Sequence, residues 1–341
     1  MSAHYPAVVV PQFGDAAQLA LRALPRRPPG RGEIEVRVEA AAVNPIDVRR
    51  RGGYGRRIFS LIGAARLPLV LGNDFAGTVT AVGRAVKHLR EGDAVFGAKP
   101  PSSAGTHARY VVVRAEHTLR QPAGMPASAL ATLPYNFLTV SRAIANAGIN
   151  RENSRGRAVL VHGASGGLGL LAVWLLSGWG AHVTAVGGSA GTDACRKAGA
   201  RAFIDRHRQA LHGLGRRYGA TLNFASWDDE AALLRHLAPD ALGHATTVHP
   251  MLGNVDRFGL LHGAMATMQQ KRSMRAFAPH GVRYAWTVFA PDREALAYLA
   301  TSATTIPLPT YTEFPLAAAA DAHRHVEQHR PGRAVLLPVD A

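Results

Sequence analysis

The feature that most constrains this chain is a glycine turn set between an apolar strand and an apolar helix. Ala158-Val159-Leu160-Val161 reads as a buried strand, Ala164-Ser165-Gly166-Gly167-Leu168-Gly169 as a turn, and 170–179 as a helix. The hexapeptide fits G-x-G-x-x-G with Ala164 in the first place. Gly166 lets the backbone approach a pyrophosphate, and Gly169 allows close helix–strand contact. The free N–H groups and dipole at the helix start stabilise phosphate charge. The string alone is weak; its place between strand and helix makes it a dinucleotide-binding candidate.

The residues around it repeat the strand–helix alternation. His182-Val183-Thr184-Ala185-Val186, Ala202-Phe203-Ile204 and Ala220-Thr221-Leu222-Asn223-Phe224 are further strand candidates, with helices over 127–133, 139–147 and 193–198. This predicts a parallel sheet with crossover helices. The first third is different. Glu33-Ile34-Glu35-Val36-Arg37-Val38-Glu39 alternates strictly, placing Ile34, Val36 and Val38 on one face. Short strands at 76–82 and 110–113, punctuated by glycines at 72, 77, 83, 92, 97 and 105, predict a barrel-like or sandwich unit. The tail returns to β character at 284–289, followed by a helix over 317–328 and a strand over 333–337. A length of 341 residues suits two domains.

Composition removes several classes. With 47% apolar and 18% charged residues, the chain is not of the disordered type. Its one cysteine, Cys195, allows no internal disulfide and no multi-cysteine metal site. No stretch reaches the roughly 18 uninterrupted apolar residues of a membrane span. Near the start, Ala7-Val8-Val9-Val10 is strand-like and leaves no room for a targeting peptide. The expectation is a soluble protein of the cytoplasm. Of the 39 basic residues 35 are arginine, and the net charge is +16. Most of these arginines are scattered, as on a solvated surface. The densest run, Arg49-Arg50-Arg51-Gly52-Gly53-Tyr54-Gly55-Arg56-Arg57, has the chemistry to hold phosphates and stack on bases.

NAD-preferring sites often carry an acid at the end of the second strand, where it holds the ribose 2′-hydroxyl. Here no Asp or Glu occurs between Leu170 and Thr192, and the strand ends in Val186-Gly187-Gly188-Ser189. The uncharged end leaves space for a 2′-phosphate. The expected cofactor is therefore NADPH, with Ser189, Arg196 and Arg206 as candidate phosphate ligands.

At this point the chain resembles the medium-chain dehydrogenase/reductases of the zinc-independent quinone oxidoreductase group. Besides the glycine turn, the resemblance rests on Asn44-Pro45-Ile46-Asp47, Leu71-Gly72-Asn73-Asp74-Phe75-Ala76-Gly77 and Glu91-Gly92-Asp93-Ala94-Val95-Phe96-Gly97. It continues through Gly105-Thr106-His107-Ala108-Arg109-Tyr110, Leu133-Pro134-Tyr135 with Leu138-Thr139, and Phe314-Pro315-Leu316. Asn254-Val255-Asp256-Arg257-Phe258-Gly259 and Gly281-Val282-Arg283-Tyr284-Ala285-Trp286 are similar to the reticulon-4-interacting-protein type within that group.

The resemblance implies an α/β fold with two parts. One is a GroES-like β-rich catalytic domain over 1–130, completed by 283–341; the other is a doubly wound Rossmann NADP-binding domain over 131–282. It implies a homodimer or larger homo-oligomer acting on a small-molecule substrate, without membrane or nucleic acid. Zinc-dependent relatives carry a Cys near 44–47, a His-Glu pair where this chain has Asn73-Asp74, and a four-Cys lobe, so no metal is expected. An acceptor must then be intrinsically electrophilic, as a quinone is, or polarised by a side chain, as an enone or enoyl thioester would be. Tyr54 stands at the spacing of the tyrosine in related enoyl reductases. A phenol there can hydrogen-bond a developing oxyanion and pass a proton. Asn44 is expected to orient substrate or nicotinamide, Asp47 to brace its loop, and Thr139 to contact the nicotinamide side. Ala164, Ser165, Gly166, Gly167, Leu168 and Gly169 would hold the pyrophosphate.

Three departures from the family pattern stand out, one of them near the end, where Thr304-Thr305-Ile306-Pro307-Leu308-Pro309 replaces the usual Gly-Lys-Leu-Arg-Pro-like segment. An Asp and a Val-Gly-Gly loop are replaced by Asn223-Phe224-Ala225-Ser226-Trp227, and Arg206 follows Asp205 where relatives often have Tyr. The expected activity is NADPH-dependent hydride transfer to a quinone or activated C=C bond, in a biosynthetic member of the family. The alternative is a nucleic-acid-binding or non-redox scaffold protein on a reductase fold.

Overall fold

In the computed structural model, which describes residues 3–209, 211 and 214–338, the alternating segment at 33–39 lies in the strand that organises the first part of the chain. That part runs β1 (His4–Val10), β2 (Ala20–Pro25), β3 (Glu33–Val43), α1 (Pro45–Arg51), α2 (Arg56–Leu61) and β4 (Leu69–Val70). It continues with β5 (Asp74–Val82), β6 (Ala94–Ala98), β7 (Tyr110–Arg114), β8 (Thr118–Arg120) and α3 (Ala127–Leu130). β3 pairs antiparallel with β5 and with β7, and β5 continues through β6 to β8. Ile34, Val36 and Val38 enter a core with Phe75, Val79, Val95, Val111 and Val113. Glu35, on the opposite face, is buried as well. The Arg26 guanidinium and the Thr80 hydroxyl, 2.7 Å away, take up its carboxylate. Period-2 alternation therefore located the strand, but one of its polar positions is covered.

The next part contains α4 (Pro134–Asn146), β9 (Ala158–His162), α5 (Gly167–Gly178), β10 (His182–Gly187), α6 (Thr192–Lys197) and β11 (Ala202–Asp205). Then come β12 (Ala220–Asn223), α7 (Glu230–Arg235), β13 (Gly243–Thr246), α8 (Met251–Arg275) and β14 (Arg283–Trp286). The sheet order is β11-β10-β9-β12-β13-β14 with every pair parallel, which is the doubly wound Rossmann order. The segment expected as the start of a β-rich tail is the sixth strand of this sheet, with Trp286 beside Thr246. A short apolar strand carries no mark of the sheet it joins, so its period could not assign it. α8 had no signal in the sequence reading; Gly259, at φ 81° and ψ 176°, breaks it.

The chain finishes with α9 (Arg293–Ser302), β15 (Tyr311–Pro315), α10 (Ala319–Glu327) and β16 (Arg333–Leu337). β16 pairs antiparallel with the end of β3, and β15 lies parallel to β16. Two units result: Met1–Tyr135 with Val255–Leu260 and Pro291–Ala341, and Asn136–Asn254 with Leu261–Ala290. Among the described residues, no helix is long and apolar enough to cross a membrane.

Candidate active site

In the second unit the glycine turn leaves β9 and enters α5 at the carboxyl ends of the parallel strands. A Cβ on Gly169 would lie 2.1 Å from the carbonyl oxygen of Gly163, so only glycine permits this helix–strand approach. Gly166 caps α5 without a side-chain acceptor, which leaves the first N–H groups of a twelve-residue helix for an external anion. A Cβ at Gly166 would be 3.4 Å from its nearest neighbour, so that glycine keeps open space rather than relieving a clash. Ser165 and Gly166 are exposed, Gly167 and Leu168 are half-buried, and Ala164 and Gly169 are buried.

The structure brings the end of β10 against this turn. A Cβ on Gly191 would lie 2.2 Å from that of Ser165, and one on Gly187 2.7 Å from the Ser165 hydroxyl. Ser189 is exposed between them. Arg206 joins the group through its backbone, its N–H donating to the carbonyl of Gly187 at 3.0 Å. Arg196 is exposed on α6, and its guanidinium makes no hydrogen bond or ion pair among the described residues. Thr139 is buried on α4. The sequence reading overlooked Asp205, which pairs in register with Gly187. One of its oxygens accepts the N–H of His207 at 3.0 Å, and Arg208 stands 3.8 Å from the other. Strand pairing, which composition cannot show, is what carries this acid to the end of β10.

The substituted loop after β12 also has a visible role. The Asn223 amide donates to the Ser226 carbonyl and to Glu230, each at 2.7 Å, and its oxygen accepts from the N–H of Ala225. Glu230, fully buried, also receives the Tyr284 hydroxyl at 2.9 Å and meets His244 at 3.1 Å. Burial alone would raise its pKa; His244, Asn223 and Tyr284 outweigh that and hold it below the usual carboxylate value.

In the first unit Asn44 begins α1. Its N–H donates to Asp47 at 2.8 Å, its amide donates to Asp74 at 2.7 Å, and its oxygen accepts from Arg333 at 2.5 Å. Asp47 also accepts the N–H of Gly72 and so braces the loop as expected. Asn44 is fully buried and holds this cluster together. Burial pushes Asp74 up to about 7 against the opposing pull of Asn44, the Tyr135 N–H and Arg333. Asn73, at the other position where zinc-dependent relatives carry a ligand, donates its amide to the Lys99 carbonyl at 2.9 Å.

Tyr54 follows α1, is half-buried, and lies under the Arg49 guanidinium, 3.5 Å from the ring centroid. Two of the five arginines in the run are not surface charges, while Arg49, Arg56 and Arg57 are exposed. Arg50 is buried and donates to the carbonyls of Ala64 and Ser102; buried Arg51 pairs with Glu327 and donates to Gly14. A run of like charges looks solvated in sequence, but these two satisfy buried carbonyls and a carboxylate.

Comparison with known proteins shows the family. Residues 30–123 fit the alcohol dehydrogenase GroES-like domain. The chain is 33% identical over 325 residues to the human NAD(P)H oxidoreductase RTN4IP1, mitochondrial, covering 89% of this chain and 81% of that protein. Its Bos taurus counterpart is 32% identical over 323 residues with the same coverage. The chain belongs to the medium-chain dehydrogenase/reductase superfamily, in its reticulon-4-interacting-protein-like group. The quinone oxidoreductase structure from Coxiella burnetii superposes with a TM-score of 0.79 at 22% identity, over 98% of this chain and 99% of that one, and supports the fold.

As a medium-chain dehydrogenase/reductase, the protein is an oxidoreductase that works with a nicotinamide cofactor. The turn at 164–169 fits a dinucleotide, because the uncapped start of α5 and the space above Gly166 suit a pyrophosphate. The expectation of a cytoplasmic protein is corrected by the relatives, whose names place them in mitochondria.

Proposed function

We propose that this medium-chain dehydrogenase/reductase uses NADPH, without a metal, to reduce a quinone or an activated C=C bond in a small molecule. The observation that carries the reading is the glycine cradle joined to the end of β10, a strand whose own residues include no acid. Ser165, Gly187, Ser189 and Gly191 meet there with the backbone of Arg206, and the nearby Asp205 is engaged by His207 and Arg208. When bound, the nicotinamide supplies the hydride. The N–H groups at the start of α5 would hold the pyrophosphate, and Ser189, Arg196 and Arg206 would bind the 2′-phosphate.

Metal independence is supported by the side chains at the family's zinc positions, since Asn73 and Asp74 are both committed to partners within the protein. Charge that builds on an enone or enoyl thioester oxygen then needs a donor, and Tyr54 supplies its hydroxyl proton. Asn44, Asp74 and Arg333 fix the start of α1, whose far end leads to the tyrosine.

The test is a fluorescence titration with NADPH and NADH, followed by NADPH oxidation against quinones, enones and enoyl thioesters with product analysis. Tighter binding of NADPH and turnover after exhaustive chelation are expected. Tighter NADH binding, or stoichiometric zinc whose removal abolishes turnover, overturns the reading.

A further inference from the structure

We infer that Asp256 is the positioning residue for Tyr54, an inference that rests on the donor role proposed for that tyrosine. Tyr54 sits between Gly53 at φ 89° and Gly55 at φ 76°. Both glycines occupy the left-handed region, where glycine has little intrinsic preference, so the turn needs outside restraint to keep one shape. On its N-terminal side the restraint is local. The Gly53 N–H donates to Arg50, the Tyr54 N–H to Arg49, and the Arg49 guanidinium covers the ring. On its C-terminal side Arg56 donates back to Gly53 at 3.1 Å, and the remaining tie comes from far along the chain. One carboxylate oxygen of Asp256 accepts the N–H of Gly55 and the other accepts the N–H of Arg57, the latter at 3.2 Å.

Asp256 belongs to the segment Val255–Leu260, which lies in the first unit although its neighbours on both sides lie in the second. The break at Gly259 ends that excursion. A carboxylate can serve both amides with separate oxygens, whereas an asparagine has one acceptor oxygen. Among the described residues this is the one hydrogen-bonded tie between residues 53–57 and a distant part of the sequence. The consequence is catalytic, because a displacement of about 1 Å in a reacting group can cost roughly 100-fold in rate.

The experiment combines Asp256→Ala, Asp256→Glu and Tyr54→Phe, assayed on the best alkene acceptor of the panel above. Asp256→Ala is expected to lower kcat about 10-fold, with KM and NADPH affinity within 2-fold of the parent. In the Tyr54→Phe background it should cause no further loss, and Asp256→Glu should recover part of the rate. Amide hydrogen exchange at Gly55 and Arg57 should accelerate in Asp256→Ala. An equal fold loss in both backgrounds, unchanged kcat, or a loss confined to thermal stability or NADPH affinity overturns the inference. Wild-type kcat in Tyr54→Phe alone instead removes the reading of Tyr54 beneath it.

Discussion

Asn44 and Asp74, thirty residues apart, are joined by a 2.7 Å amide-to-carboxylate hydrogen bond where both side chains are fully buried. Arg333 closes the group from the end of the chain through the Asn44 oxygen. The amide thus stands between the buried Asp74 carboxyl and the half-buried Arg333 guanidinium, with one function turned to each.

Removing that amide should be costly. Asn44→Ala leaves the buried Asp74 carboxyl and the half-buried Arg333 guanidinium each short of a partner, at about 3 kcal/mol in urea unfolding. Asn44→Asp should cost more, because it adds a third carboxylate beside Asp47 and Asp74. A loss below 1 kcal/mol for Asn44→Ala would contradict the role given to this cluster.

Two buried groups set opposite pH slopes. Asp74 is pushed up to about 7 by burial, so from about pH 4 to 7 the folded state keeps a proton that the unfolded state has lost, and stability falls as pH rises. Lys99, whose ammonium donates to the Ser102 hydroxyl and the Ala104 carbonyl, is pulled down to about 7, first by burial and then by Arg50. From about pH 7 to 10.5 the unfolded state binds the extra proton, and stability rises with pH. Their combined penalty is greatest near pH 7. In Lys99→Met the rising limb should disappear, at up to about 1.4 kcal/mol per pH unit. Urea midpoints at pH 6 to 10 for both proteins measure it, and parallel curves would show Lys99 to be ordinary.

The two glycines of the cofactor turn should fail differently. Gly169→Ala drives a methyl against the Gly163 carbonyl and should destabilise the fold by several kcal/mol. Gly166→Ala meets nothing closer than 3.4 Å and should fold normally, yet weaken NADPH at least 10-fold by occupying the pyrophosphate's space. Calorimetry and titration of the pair separate the effects.

Tyr54→Phe should lower turnover of an enone or enoyl thioester roughly 100-fold and leave NADPH affinity nearly unchanged. With a quinone the loss should be smaller, because its reduction potential supplies more of the driving force. Equal losses on the two classes would count against proton donation.

Much of this was legible from residues alone, because local chemistry dictated it. The turn at 164–169 needs glycine at 169, where an added Cβ would lie 2.1 Å from a backbone carbonyl oxygen, and Ile34, Val36 and Val38 alternate because they line a core. What stayed hidden depends on pairing across long separations. Asp205 reaches the cofactor end of the sheet by register with Gly187, and Arg50 and Arg51 are buried by carbonyls and a carboxylate that no spacing discloses. The ties of Asn44 to Asp74 and Arg333 were hidden in the same way, because its sequence neighbours give no sign of either.

The pairing of β16 with β3 also dictates an order of events during synthesis. The edge of β3 and the oxygen of Asn44 wait for partners in β16, Arg333 lying 289 residues beyond Asn44. A ribosome translating at about 5–20 residues per second needs some 15–60 seconds to cover that distance. Throughout that interval the nascent first unit has an unpaired strand edge and an incomplete ionic cluster, while the parallel sheet from β9 to β14 already has all of its strands before β16 emerges. The stage most exposed to aggregation or chaperone capture is therefore the interval before β16 pairs with β3, and it ends only when β16 leaves the exit tunnel.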